Sequence, residues 1–147
     1  MKTRLNAAFA TLLFACLSGP VLAQAPHGGY QHAESLPAPK FDAKGIARTE
    51  TVRKQYDSKT NAIQVRVDFA PGASFPKHSH PGVEIAYVLS GSIEYELDGK
   101  TVRLHAGESL YIPAGAAHSA KNTGAGITSE LATYLVEDGK PIVVLKD

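Results

Sequence analysis

The stretch GASFPKHSHPGVEIAYVLSG, residues 72–91, contains regularly spaced residues from which the fold can be predicted. A glycine opens it, another glycine closes it, and between them stand His78, His80 and Glu84. Side chains two residues apart on a strand share one face, so the two histidines are predicted to point the same way. Glu84 adds an oxygen donor to the two imidazoles, and divalent transition metals accept such a donor set.

A second spaced stretch, GESLYIPAGAAHSAKN, covers residues 107–122. It begins with a glycine, continues to a Pro-Ala-Gly segment at residues 113–115, and then, after two intervening residues, places His118. Glu84 and His118 then need only lie on neighbouring strands. There they would close a pocket around one ion, together with the two histidines of the first stretch.

Short apolar runs with glycine and proline between them fill the chain from Ile46 onward. The run Ile63 to Phe69 alternates strictly, as a strand with one wet face does, and Asp98-Gly99 has the composition of a two-residue hairpin turn. The pattern predicts strands over residues 63–69, 75–80, 83–90, 93–97, 101–105, 109–112, 118–123, 127–136 and 142–145. We therefore predict an all-β fold, a single jelly-roll β-barrel over residues 46–147.

The two stretches together resemble the paired signature motifs of the cupin family. Every defining position is filled, and fifteen residues separate Gly91 from Gly107. The resemblance covers residues 62–136, and it implies a barrel with one metal ion held by three histidines and a glutamate. It also implies that Asn122 is a turn or hydrogen-bonding residue rather than a ligand.

The ligand set implied by the resemblance is His78, His80, Glu84 and His118. Two positions would remain open on a six-coordinate ion, for water, O2 or a chelating substrate. Donors without a thiolate suit Mn, Fe, Co, Ni, Cu or Zn, and affinity alone favours Cu and Zn. Among cupins this set occurs in dioxygenases, decarboxylases, isomerases and lyases, and the quercetin-dioxygenase-like branch is the one that the apolar lining suggests.

Strand parity predicts what surrounds the ion. Val88 shares the face of Glu84, and Tyr95 is expected to point inward from the next strand, so both are assigned to the substrate pocket. For Tyr95, simple packing is an equal alternative to a polar contact. His105 is placed on the outer surface.

One strand is apolar on both faces, since Ile85, Tyr87 and Leu89 lie opposite Glu84. Such a strand is covered on both sides, by a second sheet, by the N-terminal arm or by another subunit. Many cupins are homodimers, and the resemblance therefore favours a homodimer.

Two functions of different class fit these residues. The first is a metal-dependent enzyme acting on a small organic molecule of aromatic or enol type. The second is a metal- or small-molecule-binding protein without turnover. A general acid or base beside the open metal positions would discriminate between them, and the sequence offers only Glu84 and Tyr95 for that role.

The N-terminus has the composition of a secretory signal peptide over residues 1–23, with two basic residues, an apolar run and small residues before a cut after Ala23 or Ala25. A lipoprotein attached through Cys16 fits less well. Residues 24–45 are rich in Pro, Gly, Ala and His, and they are interpreted as a flexible arm whose His27 and His32 are solvated.

Charge excludes some partners. Fifteen basic residues less Lys2 and Arg4 leave thirteen, against fourteen acidic ones, so the processed chain is near neutral. Nucleic acid and anionic membrane surfaces are therefore not expected as partners, whereas a small-molecule ligand is. We expect a periplasmic or secreted protein that takes up its metal outside the cytoplasm, with Zn or Cu in the isolated protein and Mn or Fe as possible working ions.

Overall fold

A computed structural model describes residues 36–147, and within that range the chain is all β, with no helix. The ten strands are β1 Ile46–Gln55, β2 Thr60–Phe69, β3 Ser74–Ser79, β4 Val83–Ser90, β5 Ser92–Leu97, β6 Lys100–His105, β7 Ser109–Ile112, β8 His118–Asn122, β9 Thr128–Glu137 and β10 Val144–Leu145. Between residues 36 and 147 there is accordingly no helix with the length and apolar character to cross a membrane. The predicted signal peptide, Cys16, His27 and His32 lie outside the described residues.

The strands form two five-stranded sheets. The first sheet has the order β1-β2-β9-β4-β7 and the second the order β10-β3-β8-β5-β6. Every strand pair is antiparallel. The inner faces of both sheets contribute to one apolar core, so the arrangement is the predicted jelly roll.

The core follows the alternation of the sequence. Val65, Val67 and Phe69 of β2 are buried against Ile93 and Tyr95 of β5, as parity predicted. Each of these side chains is at most 3% exposed. The inner face of the first sheet therefore packs against the inner face of the second.

The longest strand that the sequence did not reveal is β1. It pairs with β2 along most of its length, with a bulge between Glu50 and Val52. As an edge strand it is exposed over most of its second half, so its polar sequence carries no strict alternation. At the other end of the chain, the strand predicted over residues 142–145 is reduced to Val144–Leu145.

Two turns depend on backbone conformations that disfavour ordinary side chains. Asp98 and Gly99 have φ of 49° and 74°, which confirms the predicted two-residue hairpin turn. Gly91 has φ of 80°, and a Cβ there would stand 2.3 Å from Oγ1 of Thr128. The glycine that closes the first stretch is thus required both by conformation and by space.

The outward apolar side chains of β4 are exposed. Ile85, Tyr87 and Leu89 are 46%, 42% and 44% exposed, so no segment within residues 36–147 buries them. A second sheet as their cover is wrong, because that sheet packs on the opposite, Glu84-bearing face of β4. Cover by the N-terminal arm or by another subunit stays a prediction.

Asn122 fastens the end of β8 to the first sheet. Its buried Nδ2 donates to the carbonyls of Phe69, Ala70 and Gly126 at 3.0, 3.0 and 2.8 Å. Its Oδ1 accepts from the Gly124 amide and from the Thr128 hydroxyl, both at 2.8 Å. Asn122 is therefore a hydrogen-bonding residue that secures the loop after β8.

Replacing Asn122 by alanine is expected to lower the free energy of unfolding by about 3 kcal/mol, because several buried groups lose their partners together. Urea unfolding followed by circular dichroism measures it. The matched control is Asn61→Ala, which removes one exposed hydrogen bond to Asp138 and should cost under about 1 kcal/mol. Equal losses for the two variants would contradict the role given to Asn122.

Candidate metal centre

The three histidines of the two sequence stretches come from neighbouring segments of the second sheet. His78 is near the end of β3, His80 follows that strand, and His118 begins β8. His78 and His118 are directly paired across the two strands, and their ring centroids are 4.1 Å apart. The ring centroids of His78 and His80 are 4.8 Å apart, so both rings reach one point, as their spacing predicted.

Glu84 reaches the same point from the opposite side. It lies on β4 in the first sheet and His118 lies on β8 in the second, so the two residues meet without being on neighbouring strands. The carboxylate instead crosses the interior, and its Oε2 stands 2.8 Å from Nε2 of His80 and 3.3 Å from Nε2 of His118. A jelly roll allows this because the inner faces of its two sheets look at each other.

All four groups are removed from solvent. His78, His80 and His118 are 5%, 1% and 2% exposed, and Glu84 is 3% exposed. One ring nitrogen of each histidine lies within 4.8 Å of the others, a spacing that could hold a metal ion. Burial of this many polar groups is costly unless they are paired or bind a cation.

Backbone carbonyls fix the orientation of the three rings. Nδ1 of His78 lies 2.8 Å from the carbonyl of Pro76, Nδ1 of His80 lies 2.5 Å from that of Ile142, and Nδ1 of His118 lies 3.0 Å from that of Ala116. A carbonyl oxygen only accepts, so each Nδ1 carries the proton. In a neutral imidazole, Nε2 then presents a lone pair to the interior, which is the state that ligates a metal.

Two buried atoms at the centre have no hydrogen-bond partner among the described residues. They are Nε2 of His80 and Oε2 of Glu84, and the short distance between them lacks the alignment of a hydrogen bond. Both atoms are electron-pair donors that face a shared space. A divalent cation would satisfy both at once, so the residues present fit a metal ion.

The electrostatics of the site keep Glu84 ionised and His78 neutral. Burial alone would raise the pKa of Glu84, but the neighbouring His118 and His80 rings outweigh it and lower this pKa to about 2. Burial, with His118 close by, lowers the pKa of His78 to about 4. At neutral pH the centre therefore holds a carboxylate and a neutral His78 ring.

A small cavity adjoins the centre. Its volume is about 10 Å³, which is room for about one water molecule. The lining residues are Arg48, Val67, Phe69, Phe75, His78, Glu84, Tyr95, His118, Ala120, Glu130 and Tyr134. Tyr95 thus lines the cavity, whereas Val88 is fully buried and is not among the lining residues.

Glu130 is the functional candidate that sequence reasoning missed. It lies on the inner face of β9, is 4% exposed and lines the same cavity as Glu84. Its carboxylate oxygen Oε2 accepts a hydrogen bond from the hydroxyl of Tyr95, so Tyr95 makes a polar contact as well as packing. The available signal was parity, since Glu130 precedes Ala132, Tyr134 and Val136 on the apolar face of one strand.

The Glu130–Tyr95 pair differs electrostatically from Glu84. Burial, reinforced by the charge of Glu84, raises the pKa of Glu130 to about 8, even though the Tyr95 hydrogen bond opposes the rise. Burial and then Glu130 raise the pKa of Tyr95 well above its ordinary value. One cavity therefore contains a carboxylate at Glu84 and a carboxylic acid at Glu130 near pH 7.

Comparison with known proteins identifies the family. The profile of the family described as Cupin domain matches residues 65–144, more than half of the chain. The chain therefore belongs to the cupin family, as the two sequence stretches indicated.

Curated relatives share part of this region. A germin-like protein of Arabidopsis thaliana (subfamily 2 member 2) is 36% identical over 77 residues, which are 47% of this chain and 34% of that protein. The oxalate-binding protein of Thermotoga maritima is 38% identical over 60 residues, which are 40% of this chain and 50% of that protein. The chain thus spans half or less of the length of these relatives.

Solved structures share the fold. An oxalate oxidase in complex with the substrate analogue glycolate superposes with a TM-score of 0.61 at 24% identity, covering 79% of this chain and 62% of that one. An RmlC-like cupin from Shewanella frigidimarina gives a TM-score of 0.59 at 21% identity, covering 76% and 94%. At these identities the likeness concerns the fold alone.

Proposed function

We propose that the chain is a mononuclear metal-binding cupin whose ligands are Nε2 of His78, His80 and His118 and the carboxylate of Glu84. The observation that carries the proposal is the pair of buried, unpartnered donor atoms on His80 and Glu84 that face one space. Three ring nitrogens held by backbone carbonyls complete the donor set. Nitrogen and oxygen donors suit Mn, Fe, Ni, Cu or Zn, and Zn or Cu is expected in protein isolated from its natural compartment.

His80→Ala is expected to weaken Zn(II) binding by at least about 100-fold, because it removes a ligand rather than an outer contact. Competition with a chromophoric chelator measures the affinity. The matched control is His105→Ala, since His105 is exposed on β6 away from the centre. Unchanged affinity in the His80 variant, or an equal loss in both, would refute the proposed ligand set.

We further propose that this metal supports an enzyme of the dioxygenase-like kind, acting on a small aromatic, enol or carboxylate substrate. A bound metal would supply a Lewis acid to the substrate oxygens or a site of O2 activation. The apolar lining by Val67, Phe69 and Phe75 favours a planar organic molecule, and Glu130 supplies the separate acid or base that catalysis requires. The oxalate-related relatives add small carboxylates to the substrates worth testing.

A binding protein without turnover is the second candidate. The observation that favours it is the size of the cavity, about 10 Å³, which has room for about one water molecule rather than for an organic substrate. Arg48 and Phe75 line this cavity, and the Arg48 guanidinium lies 5.5 Å from the centroid of the Phe75 ring.

Reconstitution with Fe(II), Mn(II), Ni(II) and Zn(II) in turn separates these candidates. O2 uptake and product formation are followed against catechols, flavonols, β-diketones and oxalate. Turnover is expected with one redox-active metal and to be abolished in Glu84→Ala, with Glu96→Ala as the exposed control on β5. Tight binding of one of these compounds without turnover by any metal form would favour the binding protein instead.

We propose that the chain is exported and that residues 1–23 are removed, on the strength of the basic, apolar and small-residue order of that segment. Expression in a bacterial host, followed by mass spectrometry of the periplasmic fraction, is expected to find a chain beginning at Gln24 or Pro26. An intact N-terminus in the cytoplasm would contradict export.

A further inference from the structure

Glu130 is a buried carboxyl group without a cationic hydrogen-bond partner. It is 4% exposed, and among residues 36–147 its hydrogen-bond partner is the Tyr95 hydroxyl alone. On the neighbouring strand β4 it stands opposite Val88, an apolar residue. A carboxyl group in such surroundings is more stable as the neutral acid than as the carboxylate.

Ionisable side chains from six strands line the cavity with Glu130. The facing groups are Tyr95 on β5, Tyr134 on β9, Glu84 on β4, Arg48 on β1, His78 on β3 and His118 on β8. Glu84 is the negative neighbour and opposes ionisation of Glu130, whereas Arg48 favours it. Arg48 is exposed on β1, so solvent screens its effect on the ionisation of Glu130.

The Tyr95 contact leaves the acidic proton of Glu130 available. The Tyr95 hydroxyl donates to Oε2, so the acid carries its own proton on Oε1. No hydrogen bond to that oxygen is found within residues 36–147, and Glu130 lines the same cavity as His78, His118 and Glu84. A protonated Glu130 is therefore a hydrogen-bond donor beside the proposed metal ligands.

We propose that Glu130 is the acid of this site, donating a hydrogen bond, and during turnover its proton, to a small oxyanion held at the histidine centre. The inference rests on the proposed metal site and names the ligand class, a carboxylate or an enolate. In the transfer step the Oε1–H bond breaks and the proton joins the ligand atom that carries the negative charge. Glu130 remains as a carboxylate stabilised by the Tyr95 hydroxyl, and water returns the proton after product release.

The protonation of Glu130 is tested by carbon-13 NMR of the metal-free protein labelled at its glutamate carboxyls. One resonance is expected to be protonated at pH 7 and to titrate near pH 8, as burial raises the pKa of Glu130 to about 8. That resonance should vanish in Glu130→Gln and titrate at higher pH in Tyr95→Phe, which loses a hydrogen bond to the carboxylate. Titration of every glutamate in the ordinary range would overturn the proposal.

The ionisation of Glu130 also determines whether the stability of the fold rises or falls with pH. A carboxyl whose pKa is raised in the folded state binds more protons there, so its contribution to stability is lost as pH rises from about 4.5 to about 8. Metal-free wild type should therefore lose stability relative to Glu130→Gln over this window. An identical pH dependence in the two proteins would contradict a neutral, buried Glu130.

Hydrogen-bond donation is tested by calorimetry of oxalate binding to the Zn(II)-loaded protein in two buffers of different ionisation enthalpy. At the pH where Glu130 is half-ionised in the loaded protein, the wild type is expected to take up a fraction of a proton on binding, because the anion favours the neutral acid. Glu130→Gln keeps an N–H donor, so it should bind within about threefold of wild type but without proton uptake. Glu130→Leu has no donor and should bind at least about tenfold more weakly.

The outcomes distinguish a failure of the acid role of Glu130 from a failure of the metal site. Unaltered proton uptake in Glu130→Gln, unaltered affinity in Glu130→Leu, or no oxalate binding by the Zn(II)-loaded wild type would overturn the acid role of Glu130. Failure of the chain to bind Zn(II), while the Glu130 resonance still titrates near pH 8, would refute the metal site instead. Glu96→Gln, at an exposed position of β5, is the control and should behave as wild type throughout.

Discussion

A carboxylate and three imidazoles lie together inside an apolar interior, and this placement constrains the fold around them. Glu84, His80 and His118 are each at most 3% exposed, and a desolvated carboxylate costs several kcal/mol unless a partner offsets it. Neighbouring imidazoles offset part of the cost, which is why the pKa of Glu84 lies well below its usual value. Nε2 of His80 and Oε2 of Glu84 have no hydrogen-bond partner among the described residues, so the protein alone does not compensate the full cost of burying them.

The two-sheet architecture is what brings these groups together. The second sheet holds the histidines and the first sheet delivers the glutamate from the opposite wall. Carbonyls from the loop before His118, from the residues around β3 and from Ile142 near the C-terminus set the ring orientations. The centre consequently couples distant parts of the chain, and a metal there would join the sheets as a cross-link.

Some of this could be predicted from sequence and some could not. Spacing within the first stretch is local, so it indicated that His78 and His80 share a face, and the local composition of Asp98-Gly99 indicated a turn. The relation between the two stretches is tertiary, and no local pattern places Glu84 in a different sheet from His118. Glu130 was missed for a related reason, because a single acidic residue on an alternating strand becomes a site only when another strand supplies Tyr95.

X-ray absorption at the metal edge of the Zn(II)- or Co(II)-loaded protein tests whether the three histidines and Glu84 bind one ion. We expect one ion per chain with a first shell of nitrogen and oxygen alone, and imidazole scattering equivalent to three rings. Loss of Glu84 should remove an oxygen donor without changing the imidazole count. A first shell with fewer imidazoles, or an ion whose shell is unaffected by substitution of Glu84 and His80, would contradict it.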